Sequence, residues 1–343
     1  MNIQTTDAQG LFTKTLVDKY MQKSMPTSFL RSFFPEKVTS GLMVSIEVER
    51  DTEKVAVDVT RGTNGNRNEF SRSTEKMIIP PYFKEYFDLT QLQMYDRLYG
   101  ATEISDALFA DYINSAVEKT QALQSKIERA QELHCAQVLT TGIVIANNYT
   151  IDYKRKAASM VDSGTYLSGA ADPFALFTAG GDFLRKVGKC GGGVFNAILG
   201  STAQQDLFNN TAFKARQNLF NMQLDQVTPP QKNSIGGVYH GTITAGSYRV
   251  HLWTYPQYYD LSGTSTPYID PKKVIMVPEN PHFVYAYAAV PQLLTPGVPP
   301  AVGKYMVSQY DDLRNKTREV EMESAGVPVP TAVDQIYTFK GVA

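Results

Sequence analysis

Between Gly100 and Gly142 the chain runs from Ala101 to Thr141 without a glycine or a proline. Phe109, Ile113, Ala116, Thr120, Leu123, Ile127, Ala130, His134 and Val138 recur at steps of three and four, the spacing of one helix face. Asp111, Glu118, Ser125, Arg129 and Glu132 fall on the opposite side. The pattern predicts one helix over about 102–141, approaching ~60 Å at 1.5 Å per residue, where helices usually run roughly 11–12 residues. Both flanks read as β-structure. One long helix lying across a mostly β chain suits a broad building block better than a compact enzyme.

The remaining composition narrows the class. The sequence has 343 residues, 43% hydrophobic and 20% charged, enough for a real core divided into two or three lobes. Thirty-three basic residues face 34 acidic ones, so bulk charge does not grip nucleic acid. The compact basic cluster, Lys154-Arg155-Lys156, reads more simply as a solvated loop than as a phosphate contact. The start, Met1-Asn2-Ile3-Gln4-Thr5-Thr6-Asp7, has neither the basic residues nor the apolar run of a secretory signal, and no stretch is apolar enough for a membrane span. Cys135 and Cys190 read as buried free thiols of a protein made in a reducing cytoplasm.

Along the chain, residues 9–24 have the spacing of a short amphipathic helix, ended by Pro26. The segment Phe29-Leu30-Arg31-Ser32-Phe33-Phe34 then concentrates large apolar side chains that need a surface, either the chain's own core or a neighbour. Val44, Ile46 and Val48 alternate with polar residues, as do Val55, Val57 and Val59 across the turn-like Arg50–Glu53, which predicts a hairpin. Its polar tip, Arg61 to Asn68, holds an Asn-Gly turn signal, and the chain returns through Met77-Ile78-Ile79. Such a ribbon is too thin to stand alone and must lie on something. Residues 150–172 read as a polar loop or insertion. Asp172-Pro173 predicts a helix start, with Gly191-Gly192-Gly193 as its stop and Val194–Leu199 as the following strand. Ser201 or Thr202 is expected to cap the next helix. From Gly236 onward strands dominate, with Glu319, Glu321 and Glu323 alternating as a solvated strand face does.

Chemistry-bearing patterns are few. Gly188-Lys189-Cys190 has the Gly-Lys of a phosphate loop, but Phe183 stands where its first glycine belongs and Cys190 replaces the Mg²⁺-binding hydroxyl. His134 and Cys135, adjacent on a helix, point ~100° apart and share no face, so a packed, hydrogen-bonded histidine is expected there. His240, His251 and His282 have no nucleophile motif near them. No catalytic, metal-ligating or cofactor-binding constellation emerges. The expected contact residues are Phe29, Leu30, Phe33 and Phe34 in the arm, and Arg61, Gly62, Asn64, Gly65 and Arg67 at the ribbon tip.

The order of these parts resembles the tailed-phage major capsid proteins, specifically the lambda-type, capsid protein E group. The resemblance rests on the aromatic segment Phe29–Phe34, the ribbon with its Arg61-Gly62…Glu69-Phe70 tip, and the helix ending Glu128-Arg129-Ala130-Gln131-Glu132. It continues through Val194–Leu199 with Asp206-Leu207-Phe208, Tyr268–Val277, and Arg318–Ala325 followed by Pro328 and Pro330. Residues 150–172 and a tail lacking the family's acidic ending depart from it. The resemblance implies the α+β HK97-type capsid fold. Residues 1–40 would be an N-terminal arm, 41–85 an extended E-loop, 86–165 plus 301–343 a peripheral domain on the spine helix, and 166–300 an axial domain. It also implies a virion protein assembled in the host cytoplasm into hexamers and pentamers of an icosahedral head. That head would enclose double-stranded DNA without base-specific contacts. Scaffold, portal and decoration proteins are the implied partners, with no cofactor and no membrane. Other HK97-type shells join a Lys to an Asn with help from a Glu. Lys54, Lys76 and Lys84 lie in the ribbon here, but lambda-type members imply non-covalent reinforcement. A coiled-coil adaptor and an enzyme using residues 166–300 are the competing readings. The first is weakened by the seam residues Ala116, Thr120, Ala130 and His134.

Overall fold

The computed structural model describes residues 26–48, 74–90, 106–147, 149–162, 166–168, 172–219, 231–232, 236–261, 263–290, 302–312 and 317–342. After a single 3₁₀ turn at Arg31–Phe33 comes β1 (Glu36–Val38). β2 (Val44–Val48) then pairs antiparallel with β3 (Thr74–Ile78), Val44 facing Ile78 and Val48 facing Thr74. The ribbon's described partner for 44–48 is thus the returning strand, while the expected turn at 50–53 and the strand at 55–59 lie outside the described residues. β4 (Tyr82–Thr90) leads toward the long helix α1 (Asp106–Thr141), 36 residues against the expected span of about 102–141.

α1 ends where the sequence placed its stop. Gly142 has φ +75°, the left-handed conformation of a helix C-terminus, and its N–H returns to the Val138 carbonyl at 2.9 Å. A Cβ at Gly142 would lie 2.4 Å from Arg155 Cδ, so close approach demands glycine as well. The following short strands β5 (Ile143–Ile145) and β6 (Thr150–Asp152) pair with each other.

Beyond β7 (Met160–Val161), α2 (Pro173–Lys186) begins as expected, with Asp172 accepting from the Phe174 N–H at 3.0 Å and proline in the first turn. It buries Phe174, Phe177 and Leu184. β8 (Val194–Leu199) runs straight into α3 (Ser201–Asn209). Neither Ser201 nor Thr202 caps this helix. Gly200 occupies the cap position, packed against the Asp270 and Pro271 carbonyls, and the Pro271 carbonyl takes the Ala203 N–H at 3.0 Å. A backbone acceptor thus replaces the side-chain cap. α4 (Thr211–Leu219) and β9 (Gln231–Lys232) follow. Then come β10 (Val238–Ala245), β11 (Tyr248–Thr254), the hairpin β12 (Tyr258–Leu261) with β13 (Thr264–Pro267), and β14 (Lys273–Pro278). β15 (Phe283–Tyr287), β16 (Met306–Asp312), β17 (Thr317–Pro330) and β18 (Tyr337–Lys340) close the chain.

Two mixed sheets organise these strands. One has the order β7-β18-β14-β8-β11-β10-β9. The other has the order β1-β15-β17-β16, with β4 also on β17. β14 shows why the first forms: Val274 and Met276 enter one hydrophobic cluster, while Ile275 enters another on the opposite face. A strand buried on both faces reads as a continuous apolar run, as here. The first cluster joins Leu30, Phe34, Val138, Leu139, Phe283, Tyr285 and Val327. The second joins Phe174, Phe177, Phe195, Leu252 and Phe339.

The pairings cut across the domain boundaries expected from the sequence. β7 and β18, placed with 86–165 and 301–343, belong to the seven-stranded sheet, and β15, placed with 166–300, belongs to the other. Strand pairing follows edge availability, not chain proximity, so a boundary drawn along the sequence misses such exchanges. Nor is 150–172 merely a loop: Arg155 is 9% exposed and Leu167 fully buried.

Candidate functional site

Three surfaces carry the functional argument, beginning with the seat of the aromatic segment. Phe29 stacks on Tyr255 at 5.5 Å and contacts Trp253 at 5.4 Å, while Phe34 stacks on Phe283 at 5.0 Å. Phe29, Leu30 and Phe34 are at most 2% exposed, and Phe33 packs on the same cluster half-buried. These expected contact residues are therefore seated on the chain's own core. Burying each is worth roughly 1.5–3 kcal/mol, and own strands supply the surface.

Polar chemistry fixes the seat. Glu132 Oε1 accepts the Leu30 N–H at 2.7 Å and Oε2 the Arg31 N–H at 3.1 Å. Arg31 donates through Nη1 to Gln131 Oε1 at 2.8 Å, and Gln131 Nε2 donates to Ser324 Oγ at 3.2 Å. The Tyr305 hydroxyl donates to Glu128 at 3.1 Å, and Thr27 and Tyr255 share a hydroxyl hydrogen bond. Glu132, assigned from periodicity to the solvent side, is 1% exposed, and Gln131 is fully buried. The signal was present: Leu133, Cys135, Ala136, Val138 and Leu139 leave the last turns of α1 without a polar face, so polar residues among them must be inside.

Burial pushes the Glu132 carboxyl up to about 7, against the pull of the Leu30 and Arg31 N–H groups, the Tyr255 hydroxyl and the Arg31 charge. Raised above its ordinary value near 4.5, this acid takes up a proton on folding. Its burial penalty is full above pH 7, shrinks as pH falls from 7 to 4.5, and is gone below. The isolated subunit should therefore gain about 3 kcal/mol from this group across that window. Glu132→Gln should flatten the pH slope of thermal stability, whatever it does to stability at one pH. An unchanged slope in the variant refutes this.

The second surface is the ribbon root. Leu42, Met43, Met77 and Ile79 are 50–66% exposed, and the Tyr149 hydroxyl donates to the Ile79 carbonyl at 3.1 Å. The tip residues Arg61, Gly62, Asn64, Gly65 and Arg67 lie outside the described residues.

The third is the outer face of β4, β17 and β16. Register sets Lys84, Glu323 and Met306 in one row, Tyr86, Glu321 and Ser308 in the next, and Asp88, Glu319 and Tyr310 in a third. The glutamates are not the solvated stripe expected. Glu321 and Glu323 are each 5% exposed, covered by Lys84, whose Nζ lies 2.8 Å from Glu321 and 3.8 Å from Glu323, and by Tyr82, whose hydroxyl donates to Glu323. Glu319 is held above the ordinary carboxylate value by desolvation and by Glu321 and Asp88 beside it.

Candidate chemistry elsewhere resolves into structure. Lys189 and Cys190 follow α2 and precede β8, so the nearby helix end is the negative one, the reverse of a phosphate cradle. Burial pushes the Cys190 thiol up to about 11. His134 stacks on Phe83 at 5.5 Å, and burial lowers it to about 4. Its Nδ1 has no hydrogen-bond partner among the described residues, so it is packed but not bonded there as expected. His251 bonds Thr242 and His240 bonds Thr254, each at 2.7 Å within the β10–β11 pair. Lys154 and Lys156 pair with Asp152 and Asp334, each at 2.7 Å. Among the described residues no group of three or more His, Cys, Asp or Glu is placed to hold a metal ion, and no helix is long and apolar enough to cross a membrane.

Comparison with known proteins gives this geometry its context. The family model of the phage major capsid protein E matches residues 14–340, and the chain belongs to that family. A prophage protein of Escherichia coli CFT073, described as a capsid protein, superposes with a TM-score of 0.62 at 14% identity, covering 96% of this chain and 98% of that one. A phage-related protein of Bordetella bronchiseptica RB50 gives 0.50 at 11% identity, covering 96% of both. No curated protein sequence matches. The fold is thus the α+β HK97-type capsid fold, and the chain is a shell-forming capsid protein, a component of virions.

Proposed function

We propose that this member of the phage major capsid protein E family builds the icosahedral head of a tailed phage, as hexamers and pentamers closed around double-stranded DNA. The observation that carries the reading is the family match across residues 14–340, which takes in the aromatic segment, the ribbon, α1 and both sheets. In this reading the β1-β15-β17-β16 sheet with α1 and β4 is the peripheral part. The seven-stranded sheet with α2, α3 and α4 is the axial part. The ribbon tip, Arg61 to Asn68, reaches a neighbouring subunit. The chain is structural and has no catalytic role. Scaffold and portal proteins are its assembly partners in the host cytoplasm, with decoration proteins joining the finished shell.

Two observations favour this over a coiled-coil adaptor. The late turns of α1 are already covered by the chain's own β4 and β17, as the Phe83–His134 stack and the Gln131–Ser324 bond illustrate. Gln131 and Glu132 beside that seam are committed internally, to Arg31, Ser324 and the Leu30 and Arg31 N–H groups.

Purified protein should sediment as megadalton particles, and dissolved particles should run as one band near 38 kDa on denaturing gels. A small oligomer would refute the shell, and a ladder of multiples would refute non-covalent assembly. With Lys154 and Lys156 paired to carboxylates, released subunit should bind DNA more weakly than ~1 μM at physiological salt, without sequence preference.

A further inference from the structure

We infer that the outer face of β4, β17 and β16 binds a linear polyamine, an extended organic cation whose ammonium groups pair with the carboxylates and whose methylene stems lie on the tyrosine rings. The site is contained in a single chain and does not depend on assembly into a shell.

The face is incompletely neutralised. Asp88, Glu319, Glu321 and Glu323 share it with one ammonium, Lys84, among the described residues. Lys84 Nζ lies 2.8 Å from Oε1 of Glu321 and 3.8 Å from Glu323, and the Tyr82 hydroxyl also donates to Glu323. Glu321 is left half-served: it is 5% exposed, and its Oε2 has no hydrogen-bond partner among the described residues. A buried carboxylate oxygen without a donor costs free energy that a cationic donor restores. Desolvation, with Glu321 and Asp88 beside it, holds Glu319 above the ordinary carboxylate value, so negative charge is crowded at the end of the face away from Lys84.

Spacing selects the ligand. Glu319 and Glu321 stand two residues apart on β17, ~7 Å by strand rise, and Asp88 faces Glu319 across the pair at about 5 Å. Carboxylates strung out this way do not gather round a point, and among the described residues no three acidic, histidine or cysteine side chains are placed to hold a metal ion. Ammonium groups separated by three or four methylenes, about 5–6 Å at ordinary bond lengths, match the row. Tyr86 and Tyr310 flank it at 58% and 52% exposure. Their ring faces attract ammonium and offer alkyl stems an apolar bed, which a hydrated metal ion cannot use. Three carboxylates beyond the reach of one lysine call for more than one positive centre, which a linear polyamine supplies in a single molecule.

Isothermal titration of the unassembled subunit at low salt tests this, with spermidine as the probe. One saturable site per chain is expected, about tenfold tighter than for butylamine, which brings a single ammonium. Asp88→Asn with Glu319→Gln leaves the buried Glu321 and Glu323 in place and should weaken spermidine binding about tenfold. Glu321→Gln, which removes the charge of the unpartnered carboxylate, should weaken it as well. Asp162→Asn with Glu279→Gln removes the same charge from exposed positions on other elements and should leave the affinity unchanged. Tyr86→Leu with Tyr310→Leu keeps the charge and should weaken binding about threefold through loss of the rings. Circular dichroism checks that each variant folds. Absence of a saturable site, full affinity in the Asp88 and Glu319 variant, or an equal loss in the Asp162 and Glu279 control would overturn the inference. Mg²⁺ that displaces spermidine at equal charge concentration would make this a metal site and overturn it too. Unaltered affinity in the tyrosine variant would refute the ring-lined bed.

Discussion

Deleting Gly62 to Asn66 should leave a folded, soluble subunit that no longer forms shells. None of these residues carries a large apolar side chain, and the two hydrophobic clusters of the described residues are built from other segments. The described ribbon register, Val44 with Ile78 through Val48 with Thr74, closes without the tip. Thermal unfolding of the unassembled subunit should therefore stay within ~0.5 kcal/mol of wild type, as for surface changes away from buried features. Assembly should fail for the opposite reason. The tip residues Arg61, Asn64, Asn66, Arg67 and Asn68 offer no apolar side chain to bury on their own core, so their binding surface has to be found outside the subunit. In a closed shell that contact is repeated at every copy, and a loss of a few kcal/mol per contact removes the particle. Sedimentation should move from megadalton particles to subunits. Particles of normal size and yield from the deletion would sink the assignment.

What the sequence made legible follows from which forces act locally. α1 was readable because periodicity, the absence of glycine and proline, and the Gly142 stop all agree, and the Asp172-Pro173 start of α2 is set within three residues. The apolar β14 run could be read as a strand because burial on both faces leaves no alternation to confuse it. Three readings failed where distant groups decide. Glu132 looked exposed because periodicity sees one helix, not the segment 100 residues earlier whose N–H groups it accepts. Glu321 and Glu323 alternate like a solvated stripe, yet Lys84 and Tyr82 from β4 cover them. Ser201 and Thr202 look like caps, but Pro271 brings a carbonyl to the same site. The aromatic segment needed a surface, as its composition said; which surface was a tertiary question. The HK97-type fold was legible through the order of parts, and the exchange of β15, β7 and β18 between sheets was not.

The largest expected loss of stability from one side chain lies at Arg155, in the segment read as a polar loop. Arg155 is 9% exposed and meets no carboxylate in its hydrogen bonds. Its Nη1 donates to the Leu139 and Thr140 carbonyls at 3.2 and 3.1 Å, the last turn of α1. Nη2 reaches the Ser159 and Ile336 carbonyls and Thr338 Oγ1 at 3.0–3.2 Å. Burial lowers its pKa to about 10, which still leaves it charged at neutral pH. The charge is balanced by the negative end of a 36-residue helix and by carbonyl dipoles. One guanidinium thus ties α1 to the 3₁₀ turn at Ala157–Ser159 and to β18, joining the two sheets' neighbourhoods. Arg155→Met keeps most of the stem but strands these acceptors, and should destabilise the unassembled subunit by ~3–5 kcal/mol, the range for breaking a buried charged network. Arg155→Lys should recover part of that, since an ammonium has three donors and cannot span the same acceptors. Gly142→Ala should be destabilising in its own right, through its φ of +75° and the 2.4 Å approach to Arg155 Cδ. Combined with Arg155→Met it should cost less than the sum, because a methionine freed of the guanidinium's hydrogen bonds can swing away from the new Cβ, whereas the tethered arginine cannot. Denaturant unfolding of the four proteins measures this cycle. A loss below ~1 kcal/mol for Arg155→Met would show that water replaces the guanidinium and that the site is not the clasp described here.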